Sequence, residues 1–119
     1  KVRLAVVSNA PRPNVSDMLA QLGVAEYFHT IVIGMELERG KPDPLPYLTG
    51  LERLGVAADR AIAFEDAPPG LRAAHAAKIA TVGLTTTLDE ATVKQNGADI
   101  AVPDYRAPAL WELIGRIIG

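Results

Sequence analysis

The strongest constraint on this chain is a rhythm: short apolar runs of strand character recur, each followed by an apolar pattern of helical period. Leu4-Ala5-Val6-Val7 closes on Ser8, Thr30-Ile31-Val32-Ile33 on Gly34, and Ala61-Ile62-Ala63-Phe64 on Glu65. Ala80 to Leu84 and Ile100-Ala101-Val102 supply two more runs. Continuous rather than alternating apolar runs suit strands covered on both faces, the usual condition of a parallel sheet. Between the strands, Asn14 can cap a helix carrying Val15, Met18, Leu19 and Leu22, which Gly23 stops. Pro44 or Pro46 can open a helix with Tyr47, Leu48, Leu51 and Leu54, ended by Gly55. An Ala-rich helix is expected over Leu71 to Lys78, and Thr87 or Asp89 caps a short one ending near Gly97. Pro108 opens the last, whose core stripe reads Leu110, Trp111, Leu113, Ile114, Ile117 and Ile118. Strands alternating with helices imply an α/β domain: a three-layer, Rossmann-like parallel sheet with helices on both faces.

At 119 residues the chain has room for one modest domain, and 49% hydrophobic residues against a net charge of −2 supply a core. So small a charge, with twelve scattered Lys and Arg, gives no electrostatic case for nucleic acid or an anionic membrane. With no cysteine there is no disulfide, zinc-thiolate site or thiol nucleophile, and a reducing, cytoplasmic setting is the expectation. No apolar run approaches the roughly 20 residues of a membrane helix. The sequence starts at Lys1 and enters a strand pattern at once, so a chain continuing upstream is expected.

In open α/β sheets ligands gather outside the carboxyl ends of the strands, so polar residues there carry the functional question. Ser8-Asn9 ends the first strand; a hydroxyl and turn N–H groups can hold phosphate oxygens, or can simply make a turn. Lys41, in Gly40-Lys41-Pro42-Asp43-Pro44, is presented from a stiff loop; it can neutralise a phosphate and a carboxylate together, or be a solvated lysine. Glu65-Asp66 follows the third strand, and two adjacent carboxylates repel unless a cation relieves them. Hard oxygen donors suit Mg²⁺, completed by water and substrate phosphate; Asp66 can equally serve as a helix cap. Arg12, beside the Ser8 turn, is a candidate substrate contact. His29 and His75 lack partners at metal-ligand spacing and read as structural.

The order strand-Ser, Gly-Lys-Pro, strand-Glu-Asp resembles motifs two, three and four of the haloacid-dehalogenase-like superfamily. The likeness extends through Val7-Ser8-Asn9-Ala10-Pro11-Arg12, through Lys41-Pro42-Asp43-Pro44 with Pro46-Tyr47-Leu48, and through Val82-Gly83-Leu84. It looks closest to the phosphosugar and phosphoglycolate phosphatase branch. The resemblance implies that Ser8, Lys41 and the backbone at Asn9 bind the phosphoryl group of a small phosphorylated metabolite, and that Glu65 and Asp66 hold Mg²⁺. It also implies an attacking Asp, the first of an Asp-x-Asp pair, and no such spacing occurs here. The expectation is therefore the C-terminal part of a core domain, its nucleophile strand and cap lying on a missing N-terminal segment, and a chain inactive alone. Ala67 and Lys78 stand where that branch usually has Ser and Gly. Three other readings share these residues: a metal-free hydrolytic dehalogenase, a phosphosugar mutase, and a non-catalytic α/β binding module.

Overall fold

A computed structural model describes residues 2–117. Five strands and five helices alternate: β1 (Ala5–Ser8), α1 (Arg12–Leu22), β2 (Thr30–Ile33), α2 (Leu45–Leu54), β3 (Ile62–Glu65), α3 (Pro68–Ala76), β4 (Ala80–Leu84), α4 (Glu90–Gln95), β5 (Ile100–Val102) and α5 (Pro108–Ile117). All pairings are parallel, and β2, β4 and β5 have the bounds expected from the sequence.

Alternation along the strands separates the two helix layers. Val6, Ile31 and Ile33 meet Val15 and Leu19 of α1, while Ile62, Val82 and Val102 meet Leu110 and Leu113 of α5. On the opposite face Val7 and Ala63 pack with Tyr47 of α2, with Ala73 and Ala74 of α3 and with Ala77 just after it. Gly83 admits Val93 and Ala98 so closely that a Cβ there would lie 2.9 Å from Val93. The three-layer expectation is met, with α1 and α5 on one face and α2, α3 and α4 on the other.

The sheet itself differs from a single continuous one. β1 pairs only with β2, and β3 pairs with β4, which pairs with β5. Between β1 and β3 lies a cleft of ≈ 1160 Å³ whose walls include both strands. The spatial order is thus 2-1-gap-3-4-5. The gap leaves β1 half-buried throughout and Leu4 41% exposed, where burial on both faces was expected.

Helix starts follow the prolines. α1 begins at Arg12 with Pro13 in its first turn, so Asn14 is inside the helix and the Pro11 carbonyl accepts from Asn14 and Val15. α3 likewise begins at Pro68, three residues before the expected Leu71. A proline lacks the N–H that a first turn leaves unpaired anyway, so it extends these helices backwards. Asp89, not Thr87, caps α4, accepting the Thr92 N–H at 2.8 Å. Lys78 continues from α3 at φ 64°, a left-handed position that explains why glycine suits it. Trp111 is 58% exposed and donates its indole N–H to the Tyr105 carbonyl, so it is not core; Leu110 and Leu113 are. Ile118 lies outside the described residues.

Candidate active site

The carboxyl ends of β1 and β3 and the loop after β2 meet at one mouth of the cleft, and this brings Ser8, Lys41 and Glu65 together. Lys41 is the centre. Its Nζ donates to the Val7 carbonyl at 2.8 Å and to Glu65 Oε2 at 2.7 Å. Both side chains of the pair are nearly buried, 11% and 10% exposed. An ammonium has three N–H groups, so one remains for a ligand.

The sequence reading gave the carboxylate pair a metal as its neutralising cation. In the structure that partner for Glu65 is the Lys41 ammonium. Tyr47, from the first turn of α2, donates its hydroxyl to the same Glu65 oxygen and places its ring 5.4 Å from Lys41 Nζ. Burial, the charge on Glu65 and the bond to it push the Tyr47 phenol far above its ordinary pKa, so it stays a donor. Glu65 Oε1 rests on Gly70 of α3, where any Cβ would lie only 1.9 Å from it. A Cβ there would have to displace the carboxylate, which occupies the space of a side chain.

Asn9 does more than contribute backbone. Its side-chain amide donates to the Lys41 carbonyl and accepts from the Lys41 N–H, both at 3.1 Å. A two-point clamp of this kind fixes the lysine loop against the end of β1. Gly34 and Gly40 leave room for it, since a Cβ on either would lie within 2.7 Å of Asn9 Oδ1. Ser8 Oγ accepts the Ala10 N–H at 3.0 Å, which tightens the turn and leaves the hydroxyl proton to donate.

Asp66 is exposed, with no hydrogen bond among the described residues. Two carboxylates, one engaged and one open, do not make a metal cage, and the described residues contain no group of three His, Cys, Asp or Glu able to hold an ion. This donor set fits a hard cation that keeps waters and takes its other ligands from elsewhere.

Arg12 was only a candidate for contact with substrate. It makes a two-point ion pair with Glu36 instead, at 2.7 and 2.8 Å, and also reaches the Ile31 carbonyl. The hydrogen bond raises the guanidinium pKa and holds the Glu36 carboxyl below its usual value. His29 Nδ1 accepts the Leu4 N–H, a structural role. Tyr47 and the Asn9 side chain are what sequence reasoning missed: Tyr47 was taken as helix stripe, and Asn9 was given a role through its backbone alone. No helix among the described residues is long and apolar enough to cross a membrane.

The family profile described as haloacid dehalogenase-like hydrolase matches residues 1–84. Validoxylamine A 7'-phosphate phosphatase of Streptomyces hygroscopicus subsp. limoneus is 38% identical over 115 residues, 97% of this chain and 53% of that protein. Phosphoglycolate phosphatase of Escherichia coli (strain K12) is 37% identical over 82 residues, 69% of this chain and 32% of that protein. Among solved structures, CbbY from Rhodobacter sphaeroides in complex with phosphate superposes with a TM-score of 0.72 at 34% identity, covering 85% of this chain and 46% of that one. The chain spans about half the length of these relatives or less. With a family profile covering well over half its length, the chain belongs to the haloacid dehalogenase-like hydrolases.

Proposed function

We propose that the chain is the phosphate- and metal-holding half of the active site of a Mg²⁺-dependent phosphatase for small phosphate esters of the phosphosugar or phosphoglycolate kind. The observation that carries this is the Lys41 ammonium, fixed at the cleft mouth by Glu65, Val7 and the Asn9 clamp with one N–H to spare. The names of the similar proteins, phosphatases of a phosphorylated pseudo-sugar and of phosphoglycolate, support the substrate class.

In this reading an Asp carboxylate from a segment outside these 119 residues attacks phosphorus as the ester P–O bond breaks and the alcohol leaves, protonated by an acid of that segment; water then cleaves the aspartyl-phosphate to inorganic phosphate and the free carboxylate. Lys41 gives its free N–H to an equatorial phosphoryl oxygen, where charge resides in the transition state. Ser8 donates its hydroxyl proton to a second, and the main-chain N–H of Asn9 serves a third. Asp66, with Glu65 Oε1, would hold the cation, which when bound neutralises charge on phosphate and carboxylate. Because Glu65 Oε2 is committed to Lys41 and Tyr47, Asp66 carries most of that duty.

The test is phosphate release by the longer protein with Mg²⁺. Lys41→Ala and Asp66→Ala should each abolish it, and turnover near wild type in either variant sinks the assignment. The 119-residue chain alone should release none.

A further inference from the structure

Arg12 and Glu36 form a pair that the chemistry described so far does not use. Arg12 follows the Ser8 turn as the first residue of α1, and Glu36 lies on the connection that runs from β2 to Lys41 and α2. Their two bonds, Nε to Oε2 at 2.7 Å and Nη2 to Oε1 at 2.8 Å, make a two-point fork, the geometry that renders such pairs strong and directional. The same connection carries two other acids, Glu38 and Asp43, and both pair with Arg39 inside it. Among the described residues, Glu36 is the one of these three that bonds to another element.

The guanidinium is turned away from the cleft. Val7 directs its carbonyl to Lys41, so Val6 directs its own to β2, and Ile31, opposite Val6, points its carbonyl to the outer edge of the sheet. Arg12 donates to that outer carbonyl at 3.3 Å, and Arg53 of α2 donates to it from the other face at 3.1 Å. The edge lies two strand spacings, roughly 10 Å, from the cleft between β1 and β3. Arg12 is thus anchored at three points, none of them beside Lys41.

What the pair joins are the two segments that supply Ser8 and Lys41. The Asn9 clamp already ties one to the other, with both bonds at 3.1 Å. A single attachment leaves two segments free to pivot about it. A second, three residues further along one and five residues back along the other, fixes their angle. The pair is 43% and 47% exposed, so it adds little to global stability, and its effect is on local alignment. We propose that Arg12 and Glu36 are positioning residues, an outer brace that holds Ser8 and Lys41 in register for one phosphoryl group, and that Arg12 itself touches no substrate. The brace stands on geometry alone; its effect on phosphate rests on the phosphatase reading.

The longer protein with Mg²⁺ carries the test, read as kcat and KM for a small phosphate ester and as inhibition by inorganic phosphate. Arg12→Ala and Glu36→Ala should each raise KM and the inhibition constant about three- to fivefold, with kcat and melting temperature nearly unchanged. The double variant should be no worse than either single one, because the two residues act as a unit. Arg12→Lys keeps the charge without the fork and should fall between. The penalty should shrink in about 1 M salt, where the screening length is about 3 Å. The Ala10 and Lys41 amides, bonded to Ser8 Oγ and Asn9 Oδ1, should exchange hydrogen faster in each alanine variant. A loss with Arg12→Ala that Glu36→Ala does not share makes Arg12 a substrate contact and overturns the brace. Tighter phosphate binding in Glu36→Ala, additive losses, wild-type constants in both variants, or unchanged exchange overturn it too. Arg12→Gln and Glu36→Gln carry the same expectations should an alanine variant fail to fold. A wild type that neither turns over an ester nor binds phosphate overturns the phosphatase reading, and the exchange rates then decide the brace by themselves.

Discussion

Replacing Gly70 by Ala would ordinarily stabilise a helix such as α3 by about 0.5–1 kcal/mol, since glycine loses the most backbone entropy on folding. Here the new Cβ would sit 1.9 Å from Glu65 Oε1 and 2.2 Å from Cδ, so the carboxylate must retreat by about 1.5 Å to reach normal contact. That retreat breaks the 2.7 Å bond to Lys41 and the bond to Tyr47, leaving the phenol without its acceptor and the ammonium with the Val7 carbonyl alone. Breaking a fully buried pair from one side costs about 3–5 kcal/mol; bordering an open cleft, this one warrants roughly 2–3. The loss exceeds the helix gain. Gly70→Ala should destabilise by about 1–2.5 kcal/mol, a fall in melting temperature of roughly 3–12 °C for a domain of this size. Thermal and urea unfolding measure it, and a variant as stable as wild type would refute the reasoning. In a Glu65→Ala background there is no carboxylate to strike, so the same substitution should turn neutral or stabilising. A persisting cost there would place the conflict in the backbone.

Other outcomes follow from single contacts. Tyr47→Phe removes a charge-assisted bond in the interior but keeps the ring beneath Lys41, and should cost about 1.5–3 kcal/mol in urea unfolding; no loss would show that the hydroxyl is idle. Lys78→Gly relieves a left-handed residue whose strain of about 1–2 kcal/mol is partly offset by glycine's freedom when unfolded, for a net gain of about 0.5–1 kcal/mol. Differential scanning calorimetry should show a higher melting temperature for it, and a lower one would mean that the lysine side chain matters more than its φ. Asp89 has a carboxyl pKa held low by Thr92, so its share of stability is present above its unfolded value and lost as pH falls through the lower folded one. Asp89→Asn should therefore flatten the acid side of the stability profile below about pH 4 and leave its neutral side less affected.

Much of the fold was legible because apolar runs of four or five residues have few alternatives. β2, β4 and β5 fell where those runs fell, and β3 shifted by one because Glu65 continues it. The starts of α1 and α3 were read late, at Asn14 and Leu71, because Pro13 and Pro68 were given no part in them, whereas Pro108 was read correctly as opening α5. Trp111 was misplaced by an apolar stripe counted one residue too wide, for Leu110 and Leu113 already fill the core face. Ser8, Lys41 and Glu65 were visible as polar residues at strand ends. Their bonding was not, because a sequence says that Glu65 needs a cation without saying which. Tyr47 was hidden for a similar reason: a phenol in a helix stripe looks apolar until something meets its hydroxyl. Nor could a pattern of buried strands reveal the interruption, since burial is read strand by strand and neighbours are not.

The position of α2 has a mechanical consequence. On one side Gly50 lies against Val7 and Val32, where a Cβ would make ordinary contacts of 3.6 and 3.8 Å; on the other, Tyr47 and Leu51 pack with Ala63 and the alanines of α3. The helix is a spacer bolted to both halves, and the width it sets depends on how small those residues are. Gly50 could gain one methyl without strain, but a Leu there would act as a wedge, prying the halves apart and drawing Glu65 from Lys41. The reach of a lysine and the thickness of a helix thus set the same gauge, and residues far from any chemistry hold the tolerance to which the site is built.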